Sequence, residues 1–494
     1  MQLNGRNLLK VYNKLIIKHY NEVYVKIECE KSMAAELSEY FTFYVPGYKF
    51  MPAFRNKIWD GKIRLFNTQD YTLYGGLIDY VQKFVAEREY TLEIQNDLNV
   101  EDSLSVKEAT DFISMLEIPF EVRDYQLNSF IRCVRKRRAL LVSPTASGKS
   151  LIIYLLTRWY NEKTLIIVPT ISLVAQLAKD MLDYGIASDK YIHQIMAGAD
   201  KNTDKQIVIS TWQSIYTLPK EWFNQFSVVI GDEAHQFKAK SLTTLLSKMT
   251  QCRYRFGLTG TLDGTQTHKL VLEGLFGKQF SVTTTKELID AGKLADFKIK
   301  ALILKHSEQR CRDAKNYKYQ DEIEYLVSNH ERNKFIRNLA VSLKGNTLVL
   351  FQLVEKHGKV LFNMISSFVK DREVSFVHGG TTVDDREYIR QLTEKQNNAI
   401  IVASYGTFST GINIRNLHNI VFASPSKSKI RTLQSIGRGL RLGENKETAV
   451  LYDIADDMSY KSHKNFTLNH FMERMKIYND EKFDYKIYTI NLKE

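Results

Sequence analysis

The chain has 494 residues, enough for roughly three domains at the usual size of about 100–200 residues each. Hydrophobic residues make up 44% and charged residues 25%, a globular balance that argues against disorder, and no apolar run approaches the roughly 20 residues of a membrane span. A net charge of +13 and a pI near 9.2 favour a polyanionic partner, because neutralising phosphates releases condensed counterions, but they do not say which polyanion.

The N-terminal stretch MQLNGRNLLKVYNKLIIKHY has no long apolar segment of the secretory kind, so a cytoplasmic protein is expected. The four cysteines, Cys29, Cys133, Cys252 and Cys311, are scattered, which argues against a zinc ribbon or a disulfide framework. Residues 1–105 read as a small basic α/β domain. NEVYVKIEC alternates like a strand, SMAAELSEYFTF reads as a helix, and FRNKIWDGKIRLF predicts a hairpin closed by the two-residue turn Asp60-Gly61. That register pairs Trp59 with Lys62 and Lys57 with Arg64. One face then presents Arg55, Lys57, Trp59, Lys62, Arg64 and Phe66, while Ile58, Ile63 and Leu65 face a core. Cations interleaved with aromatics suit a nucleic-acid surface, which needs phosphate charge and base stacking together. The rival reading packs Trp59 and Phe66 internally and leaves the cations to solvate an edge.

From 106 to 282, short apolar runs (ALLVS, TLIIVP, QIVIS, FSVVIGD, YRFGLTG) alternate with helical stretches, the pattern of a parallel sheet covered on both faces. The first run leads into PTASGKS, a tight loop before a helix start. There, exposed backbone N–H groups of the loop Ser143–Gly148 and of the helix N-terminus can cradle phosphates, with Lys149 as a point charge and Ser150 placed for Mg²⁺. Ser143 stands where the general pattern has its first Gly. FSVVIGDEAH ends a buried strand on two adjacent carboxylates. One of them, Asp232, can hold the metal while Glu233 positions and deprotonates water. A second series, NTLVLF, EVSFVHG, AIIVAS and NIVFAS, predicts another parallel sheet over 283–455. Within it, LQSIGRGLRLG places Arg438 and Arg441 on one side of a helix, suited to stabilise charge on a transferring phosphoryl group. Residues 456–494 read as a mainly helical extension, with Phe466, Phe471, Met475 and Tyr478 as a packed face.

Taken in order, these motifs resemble the superfamily 2 helicases of DEAH/DExH type, over roughly 120–455. The resemblance implies two tandem RecA-like domains closing on one ATP site. It casts RDYQ as the adenine-reading segment, with Arg123 and Gln126 in contact with nucleotide. It casts PTASGKS as motif I, with Pro144, Thr145, Ala146, Ser147, Gly148, Lys149 and Ser150 around the phosphates; Ala146 stands where many members have Gly. IVPTISLVAQ and ISTWQS look like strand-tracking motifs, through Thr170, Ser172, Thr211 and Gln213. LTGT resembles the coupling motif, with Thr259 and Thr261 acting alongside His235. VHGG and ASYGTFSTGINI imply strand contacts at His378 and Ser404 and nucleotide contacts at Gly411 and Asn413; Asn413 stands where many members carry Asp. QSIGRGLR adds Gln434, Arg438 and Arg441 to the catalytic set with Lys149, Asp232 and Glu233.

A basic N-terminal module fused to this core also resembles a group of T-even phage helicases that act on branched DNA. This implies unwinding, fork regression, branch migration and strand annealing in recombination, repair and replication. ATP and Mg²⁺ are the implied cofactors, and DNA with single- and double-stranded regions the implied partner, engaged by a monomer or weak oligomer away from any membrane. RNA or an RNA–DNA hybrid stays open as a partner, because motor contacts fall mainly on phosphates. A restriction-type motor subunit is a weaker rival, since none of the seven prolines precedes Asp as a P-D…(D/E)-x-K nuclease would require. An ATP-switched scaffold is a third reading.

Overall fold

Runs such as TLIIV and IIVAS are apolar on both faces, so each can lie only inside a sheet covered on both sides. A computed structural model gives the fold for residues 13–95, 98, 101–186, 188–196, 198–238, 240–262, 265–411, 414–425, 428–440 and 446–493. It contains the expected α/β architecture, divided after Val282: one unit comprises Met1–Ser143 and Gly148–Val282, the other Thr283–Glu494 with Pro144–Ser147.

The first unit opens with strands β1 (Lys14–His19), β2 (Tyr24–Glu28), β3 (Thr42–Tyr44), β4 (Lys62–Arg64), β5 (Phe66–Asn67), β6 (Thr72–Tyr74) and β7 (Thr91–Ile94). Five of them form a mixed sheet in the order β5-β6-β2-β1-β7. Alternation in KLIIKH and YVKIE buries Leu15, Ile17, Val25 and Ile27, and Met33, Leu37, Val81, Phe84 and Val85 of the helices Lys31–Tyr40 and Ile78–Glu87 join the same apolar cluster. Each such side chain contributes about 1.5–3 kcal/mol on burial.

The remaining strands of this unit are β8 (Arg138–Val142), β9 (Thr164–Val168), β10 (Ile192–Ile195), β11 (Ile207–Thr211), β12 (Val228–Asp232), β13 (Tyr254–Thr259) and β14 (Gln279–Ser281). They form an all-parallel sheet in the order β10-β11-β9-β12-β13-β8-β14. The N-terminal module is built onto this sheet's own layer. One apolar cluster runs through both, Tyr80 Oη donates to Glu273 Oε2 at 2.6 Å, and Glu22 N donates to Thr250 O at 3.1 Å. Gly76 is required at this seam: a Cβ there would lie 1.9 Å from the Glu273 carbonyl oxygen.

The second unit holds β15 (Asp296–Lys305), β16 (Thr347–Phe351), β17 (Val374–Val377), β18 (Ile400–Ser404), β19 (Asn419–Phe422), β20 (Thr448–Asp457) and β21 (Asp484–Asn491). These strands are also all parallel, in the order β17-β18-β16-β19-β20-β15-β21. Numbered from the first strand of each sheet, this is the order of the first sheet repeated. The segment after 455 therefore does more than supply the expected helix. After Phe466–Asp480 it returns as β21, paired with β15, which fills the edge position held by β14 in the first sheet. Of the face expected on that helix, Phe471 and Tyr478 are buried, whereas Phe466 is 40% exposed.

The expected hairpin at 55–66 does not form. The Asp60-Gly61 turn exists, but β4 pairs antiparallel with β3, Thr42 opposite Arg64 and Tyr44 opposite Lys62, and residues 52–55 are a helical turn begun by Pro52. Proline at the first helical position is preset for a turn and has no N–H to offer a strand ladder. The two faces are therefore redistributed. Ile58, expected in the core, is 80% exposed, and Phe66, expected on the basic face, is buried.

Candidate nucleotide site and strand-facing segments

Because every strand of the first large sheet runs the same way, the loops after β8, β9, β11, β12 and β13 all emerge at its carboxyl edge. The loop after β8 is fixed at its base, where Ser143 N donates to Thr259 O at 2.8 Å. Ser147 Oγ donates to Pro144 O at 2.7 Å, and Lys149 Nζ donates to Ser143 O at 3.2 Å, at the start of the helix Lys149–Tyr160. Ala146 sits at φ 67°. This left-handed conformation costs an alanine about 1–2 kcal/mol and explains why glycine is the easier residue there. Gln126 is buried beneath the loop: its Oε1 accepts from Arg123 N at 3.0 Å and its Nε2 donates to Gly148 O at 3.4 Å. A Cβ on Gly148, itself at φ 81°, would lie 2.4 Å from that nitrogen.

Asp232 closes β12, and Glu233 follows at φ 51°. Strain of this kind concentrates where a side chain must be aimed. Asp232 Oδ1 accepts from Glu233 N at 2.9 Å. Burial and the adjacent Glu233 carboxylate push the Asp232 carboxyl up to about 6, against the pull of the Lys149 ammonium. Two crowded carboxylates beside a lysine, with a serine hydroxyl at the next position, form a hard-oxygen set whose repulsion a divalent cation relieves, so the residues fit Mg²⁺. Ser150 Oγ shares a hydrogen bond of 2.9 Å with Tyr184 Oη, and burial pushes that phenol up so that it stays protonated. Nothing in the sequence around Tyr184, a helix end, signals this contact.

His235 connects the carboxylates to the next strand. The Thr259 hydroxyl donates to Thr261 O at 3.1 Å, so it accepts from His235 Nδ1 at 3.0 Å. The same nitrogen lies 3.3 Å from Glu233 Oε2. The three residues expected to couple hydrolysis to strand contacts therefore form one buried hydrogen-bonded chain, and its histidine ring lies beside Glu233.

At the same edge, Thr170 Oγ1 and Ser172 Oγ lie 3.1 Å apart after β9, Thr211 Oγ1 and Ser214 Oγ lie 2.9 Å apart after β11, and Gln213 is exposed. In the second unit, His378 follows β17, with its N–H donating to Thr381 Oγ1 at 3.0 Å. Ser404 ends β18 against Thr407 Oγ1 at 2.8 Å. Gly411 closes the helix Tyr405–Gly411, and the helix Lys429–Gly439 carries a half-buried Gln434 and also Arg438. Asn413 and Arg441 lie outside the described residues. On the N-terminal module Arg55, Lys57 and Arg64 are exposed, but Arg64 is tied to Asp60, and Trp59 is half-buried, with its indole N–H donating to Lys62 O at 2.8 Å.

Three family models match the chain in order: "DNA helicase UvsW, N-terminal" over 14–95, "Type III restriction enzyme, res subunit" over 119–264, and "Helicase conserved C-terminal domain" over 331–443. The ATP-dependent DNA helicase UvsW of Enterobacteria phage T4 is 37% identical over 96% of this chain and 99% of its own length. A crystal structure of T4 UvsW aligns with 97% of this chain and 100% of its own, at a TM-score of 0.52 and 35% identity. The DNA 3'-5' translocase XPB2 of Sulfurisphaera tokodaii is 26% identical, over 76% of this chain and 88% of its own.

Proposed function

The chain belongs to the UvsW family of superfamily 2 DNA helicases, and on that premise we propose that it hydrolyses ATP to unwind and migrate branched DNA in recombination, repair and replication. The observation that carries this reading is the junction of the loop lysine, the DEAH carboxylates and the His235–Thr259 contact at one edge of one sheet. Lys149 and the backbone of Ser143–Gly148 hold the phosphates, and Arg123 and Gln126 orient the base. Glu233, held 3.3 Å from His235 Nδ1, takes the proton from the attacking water. Asp232 and Ser150 would be the protein's oxygen donors for Mg²⁺, which would supply charge neutralisation at the phosphates. Arg438 and Arg441 are assigned the charge developing on the transferring phosphoryl group, with Gln434 beside them, and Gly411 and Asn413 are assigned further nucleotide contacts.

Loss of the γ-phosphate changes what Glu233 faces, and the hydrogen-bonded chain through His235 to Thr259 and Thr261 gives that change a route to the strand-facing loops. Thr170, Ser172, Thr211 and Gln213 then act as one grip, and His378 with Ser404 as another. The basic residues of the N-terminal module add a hold on DNA outside these grips. That module shares an apolar core with the first large sheet, so a hold there is transmitted as force rather than lost in a linker.

Steady-state ATPase with single-stranded DNA, duplex, a four-way junction and RNA tests the reading, with Lys149→Ala as control. The expected result is stimulation by DNA, greatest with the junction, and a fall of about 10²–10³ in the variant. Stimulation by RNA alone would make the chain an RNA helicase, and turnover indifferent to every nucleic acid would end the motor reading.

A further inference from the structure

Between β3 and β4 the chain makes an excursion, VPGYKFMPAFRNKIWDG, that the motor chemistry does not use. It is folded on itself. Val45 N donates to Gly61 O at 2.9 Å, Met51 N to Tyr48 O at 3.0 Å, and Ile58 N to Ala53 O at 2.9 Å. Tyr48 stacks on Tyr44 with centroids 4.7 Å apart and meets Phe54 edge-on at 4.7 Å. Gly61, at φ 79°, admits the Tyr48 ring, since a Cβ there would lie 2.4 Å from it. With Tyr44, Tyr48 and Phe54 packed together in this knob, the chain still leaves Phe50 83% exposed, Ile58 80% exposed and Met51 37% exposed. A single exposed apolar residue is unremarked in soluble proteins. Three on one stiff excursion need an occupant.

Charge says which. From Val45 to Trp59 there is no acidic residue, and Lys49, Arg55 and Lys57 are all exposed. Exposed apolar side chains interspersed along one short excursion with exposed cations and no carboxylate suit base stacking flanked by phosphates; a protein partner's apolar patch would find the cations undirected. Position agrees. Tyr44 O accepts from Thr267 Oγ1 at 3.3 Å, and Thr267 lies in the first turn of the helix Gln266–Phe276 that follows β13. The knob is therefore anchored at the carboxyl edge of the sheet, from which the strand-facing loops also emerge.

We propose that the knob 45–61 is a strand-separating wedge, with Phe50 and Ile58 stacking on the last base pair at a DNA branch point while Lys49, Arg55 and Lys57 hold the flanking phosphates. The proposal rests on the chain being a DNA motor. Motor and wedge are separated by measuring both single-strand-stimulated ATPase and strand separation on a fork carrying 2-aminopurine at the junction pair.

In the full chain, Phe50→Ser with Ile58→Ser removes no buried contact. It is expected to leave ATPase within about twofold of wild type and to slow fork unwinding about tenfold, the size of one lost base stack, with loss of the 2-aminopurine signal on binding. Phe50→Tyr with Ile58→Leu keeps stacking area and is expected to restore unwinding. Unwinding unchanged in the serine variant overturns the wedge, as does a parallel loss of ATPase. Sedimentation showing a wild-type dimer that the serine variant dissolves would make the tip a self-contact and overturn it too. A wild type whose ATPase ignores DNA would instead overturn the motor reading beneath it.

Discussion

The two large parallel sheets have the same strand order and use it differently. Along the carboxyl edge of the first, Ala146 and Glu233 are non-glycine residues held at φ 67° and 51°. In the second, the non-glycine residues with positive φ among those described are Lys461 and Lys482, both beyond β20 and both exposed. The second sheet instead holds fully buried ion pairs. Arg332 Nε lies 2.9 Å from Asp456 Oδ1, with His306 Nε2 at 3.1 Å from the same oxygen. Arg474 Nη2 lies 2.8 Å from Asp453 Oδ1, with Tyr478 Oη donating to Oδ2 at 2.8 Å. Backbone strain aims reacting groups and is tolerated only where surrounding structure over-determines it. Buried ion pairs fix which elements meet, and removing one member strands the other. The first sheet should therefore yield variants that change rate at constant stability, and the second the reverse.

The largest expected effect is at the strained carboxylate. Glu233→Gln keeps size and polarity but cannot take a proton, so single-turnover hydrolysis should fall by about 10²–10⁴ while nucleotide binding and melting stay close to wild type. Normal turnover in this variant would assign proton removal to another group and would break the contrast at its strongest point.

Next is the pin that holds the C-terminal helix to β20. Arg474→Ala leaves Asp453 buried without its cation and should destabilise the second unit by about 3–5 kcal/mol in denaturant titration. Arg474→Met with Asp453→Leu strands no charge and should recover most of that loss. A cost below about 1 kcal/mol for the alanine variant would mean that β21 and its helix are held by apolar packing alone.

These two regions also differ in how far they could be read from sequence. Lys149, Ser150, Asp232 and Glu233 lie in short strand–loop–helix segments whose apolar runs and loop residues are local, and the seven-stranded sheets follow from runs apolar on both faces. The partner of β4 is not local. Asp60-Gly61 reports that the chain reverses, but whether 55–59 or 42–44 pairs with 62–64 depended on Pro52 starting a helical turn and on Tyr44 and Tyr48 stacking across the excursion. DYKIYTIN does not announce itself as β21, because an edge strand with six exposed positions out of eight carries no apolar run. The role of Tyr184 beside Ser150, 34 residues apart, had no signal at all.

The smallest expected effect is a pH dependence confined to the second unit. His357 is fully buried between Ser424 and Asn333. Asn333 Nδ2 donates to Val327 O, so its Oδ1 is the acceptor facing the ring, and His357 Nε2 carries the proton at 3.2 Å from it. The Ser424 hydroxyl accepts from Gln352 N and donates to His357 Nδ1 at 2.9 Å. Every contact is therefore made by the neutral ring. Burial first, then the Arg332 guanidinium, push its pKa down to about 3, with the Asp456 carboxylate pulling weakly the other way. The unfolded chain takes up this proton near pH 6.5 and the folded chain does not. The contribution is thus fully present above about 6.5, shrinks as pH falls, and levels off below about 3. By pH 5 the loss is about 2 kcal/mol, before most carboxylates have begun to titrate. His357→Gln retains a donor toward Asn333 and cannot titrate. Its stability between pH 7 and 5 should be flatter than wild type whatever its value at pH 7, and an unchanged slope would place the acid sensitivity of this unit elsewhere, at the Asp456–Arg332–His306 cluster.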